Sequence, residues 1–437
     1  TLHPKVFGGI LARRENAKDL AELTEYEIPQ IDLVIVDLYP FVKTVRSGAS
    51  EADIIEKIDI GGVSLIRAAA KNFADTLIVA SSDRFAYLMD ILERHGAESV
   101  LEERRSLAAS AFATTSAYDT AIARWFAGKD IETDTVLAPE TSLRYGENPH
   151  QKAVFRGDFD GMFTQLHGKE VSYNNILDID SAVKLIDEFT EPTVAILKHN
   201  NACGLASRGI LAQAWADALA GDPVSAFGGV IIANREIDAA TASEINKIFF
   251  EVIVAPAYSD DALTILRQKK NRIILQQKSA PAAYEQVRSA LNGVLVQDRD
   301  TKVETADDLK LVAGDSLDAA QAADMLFANK IVKHSKSNAI VLARGGQLLA
   351  SGVGQTSRVD ALKQAIEKAR SFGFDLNGAV MASDAFFLFA DCVEIANKAG
   401  ITAVIQPGGS IRDTDSVEYC KNNGMTMVMT GFRHFRH

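Results

Sequence analysis

"VAILKHNNACGLA" (Val194–Ala206) decides how this chain is read. It opens as an apolar run, meets an ammonium and an imidazole at Lys198 and His199, then turns through two asparagines toward Cys203 and Gly204. Ionisable groups beside an apolar element lose hydration, so they need partners or a purpose. At the C-terminal end of a buried strand both side chains are expected to face the crevice in which open α/β sheets bind ligands. Desolvation and neighbouring charge can tune such groups for proton transfer near neutral pH. Two other readings compete: a snorkelling lysine beside a backbone-bonded histidine, and Cys203 as a nucleophile with His199 as its base. No oxyanion motif or third group accompanies the cysteine.

Outward from this stretch, strands alternate with helices. "GILAQAWADALAG" (Gly209–Gly221) reads as a helix between the strands "PTVAILKH" and "GGVIIAN", and "SNAIVLARGGQLLASGVG" (Ser337–Gly354) reads as a hairpin about Gly345-Gly346. "RVDALKQAIEKAR" is an amphipathic helix and "ITAVIQPGGS" a strand into a glycine turn, so strand, helix, strand and glycine turn recur on both sides of residue 330. Toward the N-terminus "IDLVIVDLYPF" (Ile31–Phe41) reads as a buried strand, "SEADIIEKIDIGGVSLIRAAAKNF" as two helices about a Gly61-Gly62 turn, and Leu101–Ala127 as one long helix. The polar stretch Gly128–Thr141 is the expected linker. The alternation predicts an open parallel α/β sheet, and a length of 437 residues exceeds what one core holds.

Composition narrows the function. A net charge of −12 argues against a general nucleic-acid or anionic-membrane binder, while leaving room for a local basic pocket. Three scattered cysteines with no CxxC pair indicate neither a disulfide framework nor a Cys-rich zinc site, and fit a reducing, cytoplasmic setting. No apolar run approaches the ~18–20 residues of a membrane span. Because the chain opens on Thr1 and directly enters a glycine-bearing stretch, upstream residues are expected to be missing.

Other groups gather around this frame. "SLRYGENPHQKA" (Ser142–Ala153) packs Arg144, Tyr145, Asn148 and His150 together, and an Arg beside a Tyr can clamp a phosphate and stack a flat ring. "GDPVSAFGGVIIAN" (Gly221–Asn234) has small residues that let a ligand approach backbone N–H groups. Asn338 begins a strand. "SDAFFLFADC" (Ser383–Cys392) carries three phenylalanines, two expected in the core and one free to sandwich a ring. Asp59, before Gly61-Gly62, and Lys71 could join a carboxylate and an ammonium across one helix.

In this order, "LRYGENPHQ" and "LKHNNACG", framed by "TLHP" and "FRHFRH", resemble the bifunctional purine-biosynthesis family that joins aminoimidazole-carboxamide ribonucleotide (AICAR) transformylase to inosine monophosphate (IMP) cyclohydrolase. The resemblance covers nearly the whole chain. It implies an α/β protein with a doubly wound, methylglyoxal-synthase-like cyclohydrolase domain over residues 1–130. A duplicated, zinc-free, cytidine-deaminase-like transformylase domain follows over residues 131–437, split near 330. It implies a formyl group passing from 10-formyltetrahydrofolate to the AICAR amine, then closure of formyl-AICAR to IMP. It also implies a homodimer, with room for a monovalent cation such as potassium and no metal ligands.

Carried over by position, the catalytic Lys-His pair is Lys198 and His199. The transformylase substrate positions are Arg144, Tyr145, Asn175, Gly228, Glu251, Asn338, Phe386 and Arg433. Glu251 stands where the animal form has Asp, and Asn200-Asn201-Ala202 replaces a proline-containing turn. The cyclohydrolase positions are Tyr39, Asp59, Gly61 and Lys71, with Thr1 near the phosphate. Because the family's basic segment before "TLHP" is absent from this sequence, cyclisation is expected to be weak, and normal IMP formation from purified formyl-AICAR would contradict that. A Cys203-dependent hydrolase and a non-catalytic nucleotide binder remain as alternatives.

Overall fold

Along Val194–Leu197 every side chain is buried, and alternate residues enter different cores: Val194 and Ile196 on one face, Ala195 and Leu197 on the other. A strand buried on both faces must run through the middle of a covered sheet. The computed structural model describes residues 2–128, 140–280 and 285–437. The chain forms two units, Thr1–Ala138 and Pro139–His437. Thr1 and most of the expected linker lie outside the described residues.

The second unit is built on one 12-stranded sheet. Its strands are β1 (Phe163–His167), β2 (Thr193–Lys198), β3 (Asn201–Ser207), β4 (Val230–Ala233), β5 (Val252–Ala255), β6 (Ile273–Gln277), β7 (Lys310–Ala313), β8 (Ile340–Arg344), β9 (Gln347–Gly352), β10 (Val380–Ser383), β11 (Ala403–Gln406) and β12 (Thr426–Met429). Across the sheet they run β7-β12-β11-β10-β8-β9-β3-β2-β4-β5-β6-β1. The order reads the same from either edge once six is added to each label of the first half. The halves meet where β3 lies antiparallel to β9, at Ala206 and Gln347. Helices repeat in step: α1 (Tyr173–Ile186), α2 (Leu211–Gly221), α3 (Ala239–Ile245) and α4 (Asp260–Leu266), then α5 (Ala319–Lys333), α6 (Arg358–Ser371), α7 (Asp391–Lys398) and α8 (Asp413–Asn422). Residues of α1 and α5 share a single core on one sheet face, while α2–α4 and α6–α8 cover the other in separate cores.

Three expectations need correction. The sheet is mixed rather than parallel: β4–β6 and β10–β12 are parallel runs, but β2 is antiparallel to both β3 and β4. The end of β2 therefore lies beside the N-terminal ends of β4–β6, with Leu197 paired to Val230, and not in a crevice of strand C-termini. A split near 330 would cut α5, which belongs by topology to the second repeat. The exposed ribbon Glu285–Ala290 with Gly293–Asp298 lies between the repeats instead.

In the first unit, Leu33–Ile35 pairs in parallel with Leu77–Val79, against helices Gly61–Lys71, Phe85–His95 and Leu101–Phe126. This two-stranded sheet is less than the doubly wound sheet expected, among the described residues. The buried strand expected over Ile31–Phe41 shrinks to Leu33–Ile35, and Leu33 and Ile35 are exposed. Among the described residues its one partner strand has three residues, so the ladder stops before Tyr39, and Phe41 begins the helix Phe41–Arg46. Gly61-Gly62 opens a helix rather than forming the turn before it.

Two stability predictions follow from this packing. A Cβ on Gly352 would sit 1.8 Å from the Ala361 carbonyl oxygen, because α6 presses backbone-close onto β9. Gly352→Ala is expected to cost about 1–3 kcal/mol, read as a lower urea midpoint; an unchanged midpoint would contradict that approach. Near the C-terminus, buried His434 lies between Asp300 (2.6 Å) and Glu304 (2.7 Å). Burial alone would lower its pKa, but hydrogen bonds to the two carboxylates raise it to about 9. The protonated ring binds the folded state better, so its contribution is complete below the unfolded value and fades as pH rises through about 9. Wild-type stability should fall relative to His434→Gln between those values; parallel pH curves would remove the imidazolium from this account.

Candidate active site

The β2–β3 connection is a two-residue turn, with Lys198 paired to Asn201. His199 and Asn200 both adopt left-handed backbone, at φ 50° and 65°. For a residue with a Cβ this conformation costs on the order of 1 kcal/mol. Asn and His are among the residues with a Cβ that tolerate it better than most, but both still carry a cost that glycine does not. The corresponding turn of the second repeat, between β8 and β9, uses Gly345 and Gly346, at φ 58° and 66°. Glycine meets the same backbone demand without strain. The first repeat therefore carries two side chains where the second has only glycine.

Lys198 leaves the sheet toward β4. Its Nζ donates to the Phe227 carbonyl at 2.5 Å, and a Cβ on Gly228 (φ 70°) would lie 3.3 Å from that nitrogen. Lys198 is half-buried and His199 exposed. Beside them, Glu251 pairs with Lys169 at 2.7 Å. Exposed Phe227 and Phe249 place their rings 5.3 Å apart, a pair that sequence reasoning missed because Phe227 lies in a stretch read for its small residues and Phe249 in no evident motif. From beneath, α1 presents Asp178, whose Oδ1 accepts the Asn200 N–H at 2.7 Å. Burial pushes the Asp178 carboxyl up, against the opposing effect of that hydrogen bond and of the His199 and Lys198 charges. The Asn200 side-chain oxygen is buried without a hydrogen-bond partner.

The other transformylase positions are partly brought to this end of the sheet. Asn175 is buried in the first turn of α1, where it forms a reciprocal cap with Ser172. Its neighbour Asn174 donates to the Glu147 carbonyl, docking the loop that carries Arg144 and Tyr145. The Arg144 guanidinium lies 4.6 Å from the Tyr145 ring centroid and donates to its hydroxyl at 2.8 Å. Asn201 Oδ1 accepts the Lys336 N–H at 2.9 Å, tying the turn to the segment that leads into Asn338. Arg358 donates to Asn338 Oδ1 at 2.8 Å and pairs with fully buried Asp384. Sequence reasoning missed both partners; Arg358 reads simply as the first residue of an amphipathic helix.

Some positions fall outside these contacts. Phe386 is half-buried and only Phe387 is fully so, one core phenylalanine rather than two, because Phe389 is exposed against Arg412. Arg433 is exposed and stacked on Phe435. Cys203 points into the core, donates to the Ile196 carbonyl, and has its pKa pushed up to about 12, chiefly by burial. A buried thiol of that kind is no nucleophile, which removes the hydrolase reading. All three cysteines are free and buried.

In the first unit, Tyr39, Asp59 and Gly61-Gly62 come together. The Asp59 carboxylate accepts the Gly62 N–H at 2.6 Å and the Tyr39 N–H at 3.4 Å. The Asp59 N–H donates to the Tyr118 hydroxyl, which donates to the Lys57 carbonyl. A Cβ on Gly62 would lie 2.7 Å from the carboxylate, so a larger residue there would displace Asp59 from this position. Lys71 is not part of this cluster. It ends the helix that Gly61 begins, about 15 Å along the axis at 1.5 Å per residue.

The family model described as "AICARFT/IMPCHase bienzyme" matches residues 69–368. Curated relatives called "Bifunctional purine biosynthesis protein PurH" align along the whole of this chain. The protein of Bacteroides thetaiotaomicron is 66% identical, with 86% of its length covered. Those of Acetivibrio thermocellus and Rhodospirillum rubrum are each 47% identical, with 88% and 87% covered. By matched length and by identity, the chain belongs to the AICARFT/IMPCHase bienzyme family, which joins AICAR formyltransferase to IMP cyclohydrolase.

Proposed function

We propose that the two activities of this bifunctional enzyme of purine biosynthesis divide between the two units, with Lys198 and His199 carrying formyl transfer in the second. The observation that carries this reading is the left-handed His199 beside Lys198, where the sister turn has only glycine. The AICAR amine is a weak nucleophile, because its lone pair is delocalised into the imidazole carboxamide. As nitrogen attacks the formyl carbon of 10-formyltetrahydrofolate, His199 takes the amine proton. Lys198 stabilises the oxyanion and supplies a proton to N10 as the bond from carbon to N10 breaks. Each such proton transfer is typically worth ~10²–10⁴-fold. Arg144 and Tyr145 suit the phosphate and ring of the nucleotide, and Asn338 and Phe386 its base. Asn175, Glu251 and Arg433 complete the substrate set. The exposed Phe227–Phe249 pair offers apolar faces to the folate ring.

For ring closure both reacting groups belong to one molecule, so holding them together is most of the task. The Asp59 cluster with Tyr39 and Gly61 is the proposed centre, Asp59 receiving the proton of the attacking amide. Lys71, which closes the helix that Gly61 opens, is the proposed stabiliser of the oxyanion formed on ring closure. The order β-α-β-β-α-β-α-β-α-β, repeated in both halves of the second unit, supports a cytidine-deaminase-like duplication. A homodimer is supported by the ribbon Glu285–Asp298, which exposes Val287, Leu291, Val294, Leu295 and Val296. A lone two-stranded ribbon is marginal in water without cover.

Lys198→Ala and His199→Ala should each abolish formylation of AICAR while leaving nucleotide affinity within roughly tenfold, ~1.4 kcal/mol. Substantial turnover by either variant would contradict the assignment. Cys203→Ala should leave formylation intact, and its loss would restore the thiol to the mechanism.

A further inference from the structure

We infer that Asp178 is a positioning residue for formyl transfer, holding the His199–Asn200 turn in the left-handed conformation that projects the imidazole beside Lys198. This rests on the proposed roles of Lys198 and His199. The warrant is internal to the fold. Asp178 is the sixth residue of α1, and Asp324 is the sixth residue of α5, its counterpart. Each helix is capped by the side chain of the residue before it, Ser172 or Asp318. Each aspartate then reaches up to the tight turn of its own repeat. Asp324 accepts the Gly345 N–H at 2.7 Å and the Gly346 N–H at 2.8 Å. Asp178 accepts the N–H of Asn200, the residue equivalent to Gly346, at 2.7 Å.

The repeats thus share a helix-borne carboxylate that fixes a two-residue turn, and they differ in what the turn carries. In the second repeat two glycines take the left-handed region at little cost, so the aspartate there only secures the fold. In the first, His199 and Asn200 pay the steric penalty, and Asn200 also buries an unpartnered oxygen. Asp178 opposes that relaxation. Without its acceptor the turn can open toward extended backbone, carrying the imidazole away from the Lys198 ammonium seated against Phe227 and Gly228. The groups facing the carboxylate are His199 and Lys198 themselves.

The test compares Asp178→Ala, Asp178→Asn, Asp324→Ala and His199→Ala in the full chain, with AICAR and 10-formyltetrahydrofolate, rates being taken per folded protein. Asp178→Ala should lower kcat by ~100-fold, the scale of a misplaced catalytic group, with both KM values within roughly threefold. Asp178→Asn keeps an acceptor oxygen at the same reach and should recover most of the rate. Asp324→Ala should lower the melting temperature about as much as Asp178→Ala does, yet formylate normally. If Asp178→Ala is recovered unfolded, Asp178→Ser, one bond too short to reach Asn200, should give the same loss of kcat. Near-normal kcat in Asp178→Ala or Asp178→Ser alongside an inactive His199→Ala would overturn this inference alone, as would equal losses in Asp178→Ala and Asp324→Ala. An active His199→Ala would overturn the underlying reading and this inference with it.

Discussion

Two consecutive left-handed residues with side chains, His199 and Asn200, are the constraint around which the second unit is arranged. Such a turn persists only where its surroundings over-determine it. Here β2 is buried on both faces, β3 continues into the seam between repeats, α1 supplies an acceptor from below, and Asn201 reaches the backbone of Lys336. Each contact draws on a different part of the chain. The strain is local, while the rigidity that sustains it belongs to the whole sheet.

The duplication explains how this arrangement can arise without remodelling the fold. Six strands and four helices repeat in the same order about the β3–β9 seam, and a helix-borne aspartate secures a tight turn in both copies. In one copy the turn is glycine and structural; in the other it bears an imidazole next to an ammonium. The same antiparallel β2 that ends at this turn sets Gly228 and Glu251, at the N-terminal ends of neighbouring strands, around it. The second repeat contributes from the segment after α5, where Asn338 is held by Arg358 and Asp384.

Much of the second unit is legible in the sequence, and the failures have identifiable causes. The Gly345-Gly346 hairpin, the helix after Gly209 and the placing of Lys198-His199 at a strand end can all be read directly, because glycine pairs, helical periodicity and clustered ionisable groups are local signals. The partner strand β3 is hidden because its turn is His-Asn and not Asn-Gly, and because Ala202, Gly204 and Ala206 are too small to display an alternating pattern. Mixed strand direction is not encoded locally at all; it follows from which strands pair. Asp178 and Arg358 look like ordinary helix residues until the elements they touch are in place. In the first unit Asp59 stands just before the 11-residue helix Gly61–Lys71 and Lys71 closes it, an arrangement that only the completed helix reveals.

The most direct measurement is a structure of the complex with AICAR and an unreactive folate analogue. This account predicts the His199 imidazole within about 3 Å of the AICAR amine and Lys198 Nζ at a similar distance from the carbon-bound oxygen or N10. A complex that binds both ligands with His199 and Lys198 directed away from the one-carbon centre, and another residue at the amine, would contradict it.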